Sequence, residues 1–284
     1  MNVAILRRLR LPRVVLAALA GGGLAASGAV FQALLRNPLA EPYVLGVSGG
    51  AAVAAVAAIV LAGAHVSGAG VAGAAFAGAV LAVVIVLRLA ASAGRALDTR
   101  VLLLSGVVTG AFFNACILLV LTFADMESFR SALFWMMGSF SGATWREIGV
   151  LAGATLPALA LLMALARPLN LLATGEETAA YLGVRTERVK LAAYGTASLL
   201  TAASVAVSGV IGFVGLVVPH VARMLWGADH RFLLPASVLL GATFLVLADA
   251  LARTVAAPAE LPIGVVTAFV GVPFFLWLLR RRGV

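Results

Sequence analysis

Long stretches without a formal charge alternate along this chain with short connections that carry most of its arginines. A helix crosses the roughly 30 Å hydrocarbon layer of a bilayer in about 20 residues, so each long charge-free stretch is a candidate span. Two stretches are too long for one crossing, and they divide at glycines, near Gly63–Gly70 and near Gly209–Gly212. The pattern therefore predicts nine transmembrane helices, over Val14–Leu35, 44–62, 71–90, 101–123, 148–166, 191–208, 212–226, 232–252 and 261–279.

The composition agrees with a membrane protein. Of 284 residues, 63% are apolar and 11% are charged, whereas a soluble domain carries about a quarter charged residues. This excludes a soluble enzyme, a disordered chain and a disulfide scaffold, and the one cysteine, Cys116, has no partner for an internal disulfide. The predicted fold class is all-α, a polytopic membrane helix bundle that forms a single domain over residues 1–284.

The basic residues predict how the bundle is oriented. They separate apolar runs and do not form a stripe interleaved with aromatic residues, so a nucleic-acid partner is not expected despite the net charge of +9. Connections that carry an excess of Lys and Arg usually lie in the cytoplasm. The longest polar insertion, Arg167–Lys190, is therefore expected on that side. Counting crossings from this insertion predicts a cytoplasmic carboxyl end and places further arginines inside: Arg36, Arg88, Arg95, Arg100, Arg280, Arg281 and Arg282.

The amino end breaks this rule, because the same count puts Arg7, Arg8, Arg10 and Arg13 outside. Two explanations are open: a first span is missing from the chain, or the outer arginines serve a partner. The tripeptide 18–20 resembles a signal-peptide cleavage site, but the apolar stretch before it is short and continues unbroken afterwards, which favours a retained helix.

The insertion Arg167–Lys190, here called the coupling loop, contains a predicted short helix. Thr174 is expected to cap it, Glu176 and Glu177 lie in its first turn at the positive end of the helix dipole, and Gly183 ends it. Such a segment is either a plain amphipathic connector or a rigid element through which another protein moves the bundle.

Candidate catalytic and metal sites are weakly supported. Residues 46–50 match the G-x-S-x-G pattern of serine hydrolases, but Ser48 lies in a predicted span, where a strand-to-helix turn is not expected. The three histidines form no metal-ligand set, and Lys190, the one lysine, lacks the glycines of a phosphate-binding loop. No metal or cofactor is therefore expected, and a nucleotide site, if ATP drives transport, belongs to another chain.

Intramembrane charge is scarce. Asp249 and Arg253 are four residues apart near the outer end of one predicted span, where acid before base is a favourable helical pair. A local ion pair and a functional role are equally open for these two residues. The sequence shows no row of ionisable groups along a span, which counts against an ion-coupled transporter.

Several motifs, in order along the chain, resemble the FecCD-type permeases of ABC importers. They are residues 36–46 (RNPLAEPYVLG), 135–142 (WMMGSFSG), 177–183 (ETAAYLG), 212–223 (GFVGLVVPHVAR), 229–231 (DHR) and 259–267 (AELPIGVVT). The resemblance implies a multi-pass permease of the bacterial inner membrane that imports iron-siderophores, haem or cobalamin. It also implies a homodimer with ten helices per subunit, two cytoplasmic ATPase subunits and an extracytoplasmic substrate-binding protein. The chain starts where the family's second helix begins, so the first family helix is expected to be missing.

The resemblance also assigns residues. It implies that Arg10, Arg13 and Arg253 face outward and dock the binding protein. The surface that contacts the ATPase would be formed by Gly175, Glu176, Glu177, Leu182 and Gly183. The 101–123 span and segment 128–138 resemble the family's gate, where Ser105, Thr109 and Asn114 supply polar groups to the pathway; hydrogen bonds between packed helices account for these three residues equally well.

Overall fold

The computed structural model describes residues 3–92 and 98–281, and within them the chain is helical with no strand. Arg95 and Arg282 lie outside the described residues. The α-helices are α1 (Val3–Ile5), α2 (Leu11–Leu34), α3 (Val47–Ala62), α4 (Gly68–Ser92), α5 (Thr99–Thr122), α6 (Met126–Met136), α7 (Trp145–Ala164), α8 (Ala166–Thr174), α9 (Glu176–Tyr181), α10 (Thr186–Ser208), α11 (Val214–Trp226), α12 (His230–Thr254) and α13 (Ile263–Arg281). A π-helical turn, Leu6–Arg10, joins α1 to α2, and 3-10 turns occupy Pro42–Leu45 and Gly63–His65.

The nine predicted spans correspond to nine apolar helices of the described chain. Six are long and apolar enough to cross a membrane, namely Val3–Leu34, α4, α5, α7, α10 and α12. Three are shorter, namely α3, α11 and Ile263–Leu278 within α13. The predicted divisions at Gly63–Gly70 and Gly209–Gly212 are confirmed, because a 3-10 turn and a non-helical segment interrupt the chain there.

Helix α2 forms the centre of the bundle, where α7, α10, α11 and α12 pack around it. It runs antiparallel to α12, since Gly21 faces Gly241 and Arg13 at its start contacts Asp249 near the end of α12. A methyl group added at Gly21 would lie 2.2 Å from the carbonyl oxygen of Gly241. Small residues allow this close approach of two backbones, which stabilises helix contacts where lipid provides no hydrophobic drive.

Residues 209–213 form an irregular segment between α10 and α11, inside the bundle. Irregular backbone at membrane depth requires partners for its polar groups. Here the hydroxyl of Tyr43 accepts a hydrogen bond from the Ile211 amide (2.8 Å) and donates to the Ile211 carbonyl, while the Glu41 carboxylate accepts from the Phe213 amide. The linker before α3 thus fixes the break that makes α11 short; at about 1.5 Å per residue its 13 residues cover about 20 Å.

Candidate functional site

Arg13, at the start of α2, is enclosed by carboxylates of its own chain. Its guanidinium donates through Nε to both oxygens of Asp249 (3.0 Å each) and through Nη1 and Nη2 to the two oxygens of Glu260 (3.1 and 2.9 Å). Arg13 is only 9% exposed and Asp249 only 1%. The planar fork of an arginine suits two carboxylates at once, which a lysine ammonium cannot match.

Arg253 completes this ion-pair cluster, defined as Arg13, Asp249, Arg253 and Glu260. Its Nε lies 3.2 Å from Asp249 Oδ2, which confirms the pair predicted from the i,i+4 spacing. The two arginines and two carboxylates balance in formal charge. The cluster joins the start of α2 to the end of α12 and to the segment before α13.

The three arginines expected to dock a partner differ in their surroundings. Arg10 is exposed in the π-helical turn just before α2, and the Arg253 side chain keeps 30% of its surface exposed. Arg13, the third residue expected to dock the partner, is already paired with Asp249 and Glu260 of its own chain. The sequence could not show this, because its partners are more than 230 residues away along the chain.

The coupling loop lies at the opposite end of α12. Its helix α9 is confirmed, but Thr174 does not cap it: Thr174 ends α8, and its hydroxyl donates to the Leu171 carbonyl (2.8 Å). Gly175 occupies the cap position instead, with a φ of 138° that disfavours a residue with a Cβ. Gly183 follows α9 with a φ of 85°, as the predicted helix end requires.

The acidic residues of α9 face different surroundings. Glu176 accepts a hydrogen bond from Lys190 Nζ at 2.8 Å, and Lys190 is 5% exposed, so this pair holds α9 against the first turn of α10. Glu177 points into solvent. Tyr181 is 91% exposed and Leu182 62%, while Ala179 is buried beneath them. Tyrosine is one of the residues enriched at protein contacts. Tyr181 was not singled out from the sequence.

A second set of contacts fixes the coupling loop to the bundle. Asn170 of α8 donates to Asp229 Oδ1 (2.7 Å) and accepts from the backbone amide of His230 (2.8 Å) at the start of α12. Asp229 caps α12, and its hydrogen bonds from Arg231 and Asn170 hold the pKa of its carboxyl well below the ordinary value. Asp229 is therefore ionised near neutral pH, and α8 is connected directly to α12.

The expected pathway residues occupy two different faces of α5. Ser105 and Thr109 are buried, and Thr109 lies where α5 approaches Gly46 at the start of α3. Asn114 is exposed and lines a cavity of about 290 Å³, together with Tyr43 and Ser48. The structure thus brings Asn114 to a cavity wall and leaves Ser105 and Thr109 between packed helices.

A larger, apolar cavity of about 690 Å³ adjoins this region. Met136 and Val210 line both cavities, and the larger one continues along the first turns of α13. The amides of Ile263 and Gly264 donate to the carbonyls of Gly138 and Met137 (3.2 and 2.9 Å), which ties the start of α13 to the end of α6. The end of α6, the irregular segment 209–213 and the first half of α13 therefore line one open cavity.

The serine-hydrolase alternative is not supported. Ser48 lies in the first turn of α3, is buried, and follows a 3-10 turn instead of a strand. The strained strand-to-helix turn that exposes a nucleophile is therefore lacking at Ser48. Among the described residues, no group of three or more His, Cys, Asp or Glu side chains could hold a metal ion.

Comparison with known proteins agrees with the helical architecture. Residues 1–281 match the model of the FecCD transport family. The cobalamin import system permease protein BtuC of Halobacterium salinarum is 46% identical over 280 residues, which cover 99% of this chain and 74% of that protein. The hemin transport system permease protein HmuU of Yersinia pestis is 42% identical over 276 residues, covering 96% of this chain and 82% of that protein.

A solved structure gives the same fold. It is an inward-facing conformation of a transporter described as metal-chelate ABC type, with a TM-score of 0.90 and 34% identity, and the match covers 98% of this chain and 88% of that one. With a family match over residues 1–281 and relatives above 40% identity, the chain belongs to the FecCD transport family, whose members are membrane permeases of ABC transporters and not enzymes.

Proposed function

We propose that this chain is the permease subunit of a type II ABC importer that carries an iron-siderophore, haem or cobalamin across the bacterial inner membrane. The observation that carries the proposal is that the two ends of α12 belong to two different sites. Asp229 at one end is fixed to the coupling loop, and Asp249, 20 residues later, belongs to the ion-pair cluster. Twenty helical residues span about 30 Å, the thickness of the hydrocarbon layer, so the two sites lie on opposite sides of a membrane.

The cytoplasmic partner would be an ATPase, one for each permease subunit. The exposed Glu177, Tyr181 and Leu182 offer it a contact surface, while Glu176 and Asn170 transmit its movement to α10 and α12 through their hydrogen bonds. No phosphate-binding loop occurs in this sequence, so ATP would be bound by the partner. In this proposal the carboxyl end of the chain lies in the cytoplasm.

A second copy of the chain would complete the pathway. Helices α5 and α13 expose large apolar side chains along one face each, among them Val108, Phe112 and Phe269. The cavity between the end of α6 and the first half of α13 opens beside these faces, as expected for a conduit between two subunits. The apolar lining provides few strong contacts, which suits release of a large cargo. Cobalamin and haem are proposed as cargo because two relatives are named for the import of cobalamin and hemin.

The opposite end would receive the binding protein. Arg10 and Arg253 are exposed enough to meet acidic residues of a partner, and charge complementarity of this kind steers encounter and fixes register. Arg13 contributes by positioning Asp249 and Glu260, and through Asp249 it fixes the side chain of Arg253. In this proposal Arg13 organises the docking surface.

Removing the Arg253 charge is expected to weaken capture of the binding protein modestly. Arg253→Gln should raise the Kd about two- to fivefold at low salt, because an exposed ion pair contributes little, and the difference should vanish at high salt. Arg280→Gln, which removes the same charge at the other end of the bundle, is the matched control. The test is to measure the Kd of the binding protein for the immobilised permease at several salt concentrations. A Kd that Arg253→Gln leaves unchanged at low salt contradicts docking at Arg253.

Complex formation tests the proposed assembly. The purified chain, mixed with a candidate ATPase and a candidate binding protein from the same genome, should elute with both partners as one complex whose mass corresponds to two permease subunits. A chain that elutes without the ATPase under all nucleotide conditions would contradict the proposal. An ion-coupled carrier, the competing function, would work without either partner.

A further inference from the structure

A groove separates the C-terminal half of α4 from the first turns of α10, at the carboxyl end of the coupling loop. Its volume is about 540 Å³, and its walls are Val84, Leu87, Arg88 and Ala91 of α4 with Glu187, Arg188 and Leu191 of α10. The residues of α4 follow the i, i+3, i+4, i+7 spacing of one helix face. None of them belongs to the ion-pair cluster, the cavities near α6 or the exposed surface of α9.

The charge in this groove is unbalanced. Arg88 and Arg188 are both exposed, and within residues 3–92 and 98–281 neither forms an ion pair or a hydrogen bond through its side chain. Lys190 is nearby in sequence, but it is buried against Glu176 and takes no part. Among the described residues of the groove wall, Glu187 is the one acidic residue, so their net formal charge is +1.

The rest of the described groove wall is apolar, and the groove opens at the surface of the bundle. Val84 and Leu191 are both exposed, and Leu81, one turn of α4 further into the bilayer, is exposed as well. An acyl chain that follows Leu81 and Val84 would leave its head group beside Arg88. Basic pockets between transmembrane helices on the cytoplasmic side are suited to anionic lipid head groups.

We propose that this groove binds one anionic phospholipid of the leaflet on the coupling-loop side. Its phosphodiester would lie between Arg88 and Arg188 and balance the net charge of the groove, and its acyl chain would cover Leu81, Val84 and Leu191. Because α9 is fixed to the first turn of α10 by Glu176 and Lys190, the lipid would brace the helix that carries the coupling loop. This inference rests on the membrane location of the chain and not on its cargo or partners.

Native mass spectrometry and thermal unfolding of the delipidated full chain test the site. Phosphatidylglycerol is expected to bind and to raise the Tm, whereas phosphatidylcholine is expected to bind much more weakly. The double variant Arg88→Gln/Arg188→Gln should weaken phosphatidylglycerol binding about 25-fold, since each arginine near a membrane surface contributes about a factor of five. Arg100→Gln/Arg280→Gln removes two inner arginines elsewhere and should bind as the unmodified chain does.

Three results would overturn the proposal. They are equal binding of the two lipids, equal loss in both double variants, and binding of inorganic phosphate as tight as that of the lipid, which would indicate a simple anion site. If Arg88→Gln/Arg188→Gln does not fold, Arg88→Lys/Arg188→Lys keeps the charges and should retain binding within a fewfold. Loss of binding in that folded lysine variant would then contradict a charge-based lipid site.

Discussion

Arg13→Met is expected to lower the free energy of unfolding by about 3–5 kcal/mol, because it removes one partner of a buried ion pair. Asp249, which is almost fully buried, would keep only Arg253 at its edge, and Glu260 would lose both of its hydrogen bonds to Arg13. The end of α12 and the segment before α13 would then lose their ionic connection to α2, while the apolar packing of α2 against α12 would remain. Chemical unfolding in detergent, followed by intrinsic fluorescence, measures the change.

Two variants separate this effect from a general loss of charge. Arg253→Met should cost about 1 kcal/mol or less, since that guanidinium is partly exposed and holds one edge of Asp249. Arg13→Lys keeps the charge, but a lysine has no planar fork that reaches both carboxylates. Its loss of unfolding free energy should therefore lie between those of Arg13→Met and Arg253→Met. Equal costs for Arg13→Met and Arg253→Met would show that the cluster does not depend on Arg13.

The second large effect is expected in the coupling loop. Tyr181→Ala should weaken association with the ATPase about tenfold or more, because exposed aromatic side chains at the centre of a contact carry much of its binding energy. Glu177→Arg should abolish stimulation of ATP hydrolysis by reversing a charge on the same surface. Both positions are exposed, so the variants should fold normally.

Phe232→Ala is the matched control for Tyr181→Ala. Phe232 is an exposed aromatic residue at the same end of the bundle, but it lies on α12 and outside the coupling loop. Binding of the purified ATPase and its rate of ATP hydrolysis should match those of the unmodified chain in this control. Normal stimulation in Glu177→Arg would remove the coupling assignment even if Tyr181→Ala behaves as expected.

The parts of the fold that depend on local chemistry could be predicted from the sequence. Apolar stretches gave the nine helices, glycines marked the divisions between them, and the i,i+4 spacing gave the Asp249–Arg253 pair. Each of these signals operates within a few turns of the chain. The error at Thr174 was also local: Gly175 with its positive φ occupies the cap that a threonine was expected to provide.

The parts that depend on distant contacts could not be predicted. Arg13 meets Asp249 across 236 residues, and Asn170 meets Asp229 across 59, so no spacing rule applies to either pair. Likewise the carboxylate of Glu41 accepts a hydrogen bond from the amide of Phe213, which is 172 residues away along the chain. Pairings of this kind depend on the tertiary packing of α2, α8 and α12, which local sequence patterns do not specify.

Uptake into sealed vesicles tests the central claim most directly, namely that the chain is a conduit without its own energy source. Vesicles that contain this chain and its ATPase, supplied with the binding protein, should accumulate a ferric siderophore, haem or cobalamin only when ATP is present. Glu177→Arg should abolish this uptake, and Phe232→Ala should not. Uptake that persists without ATP, or that follows a proton or sodium gradient instead, would contradict the account.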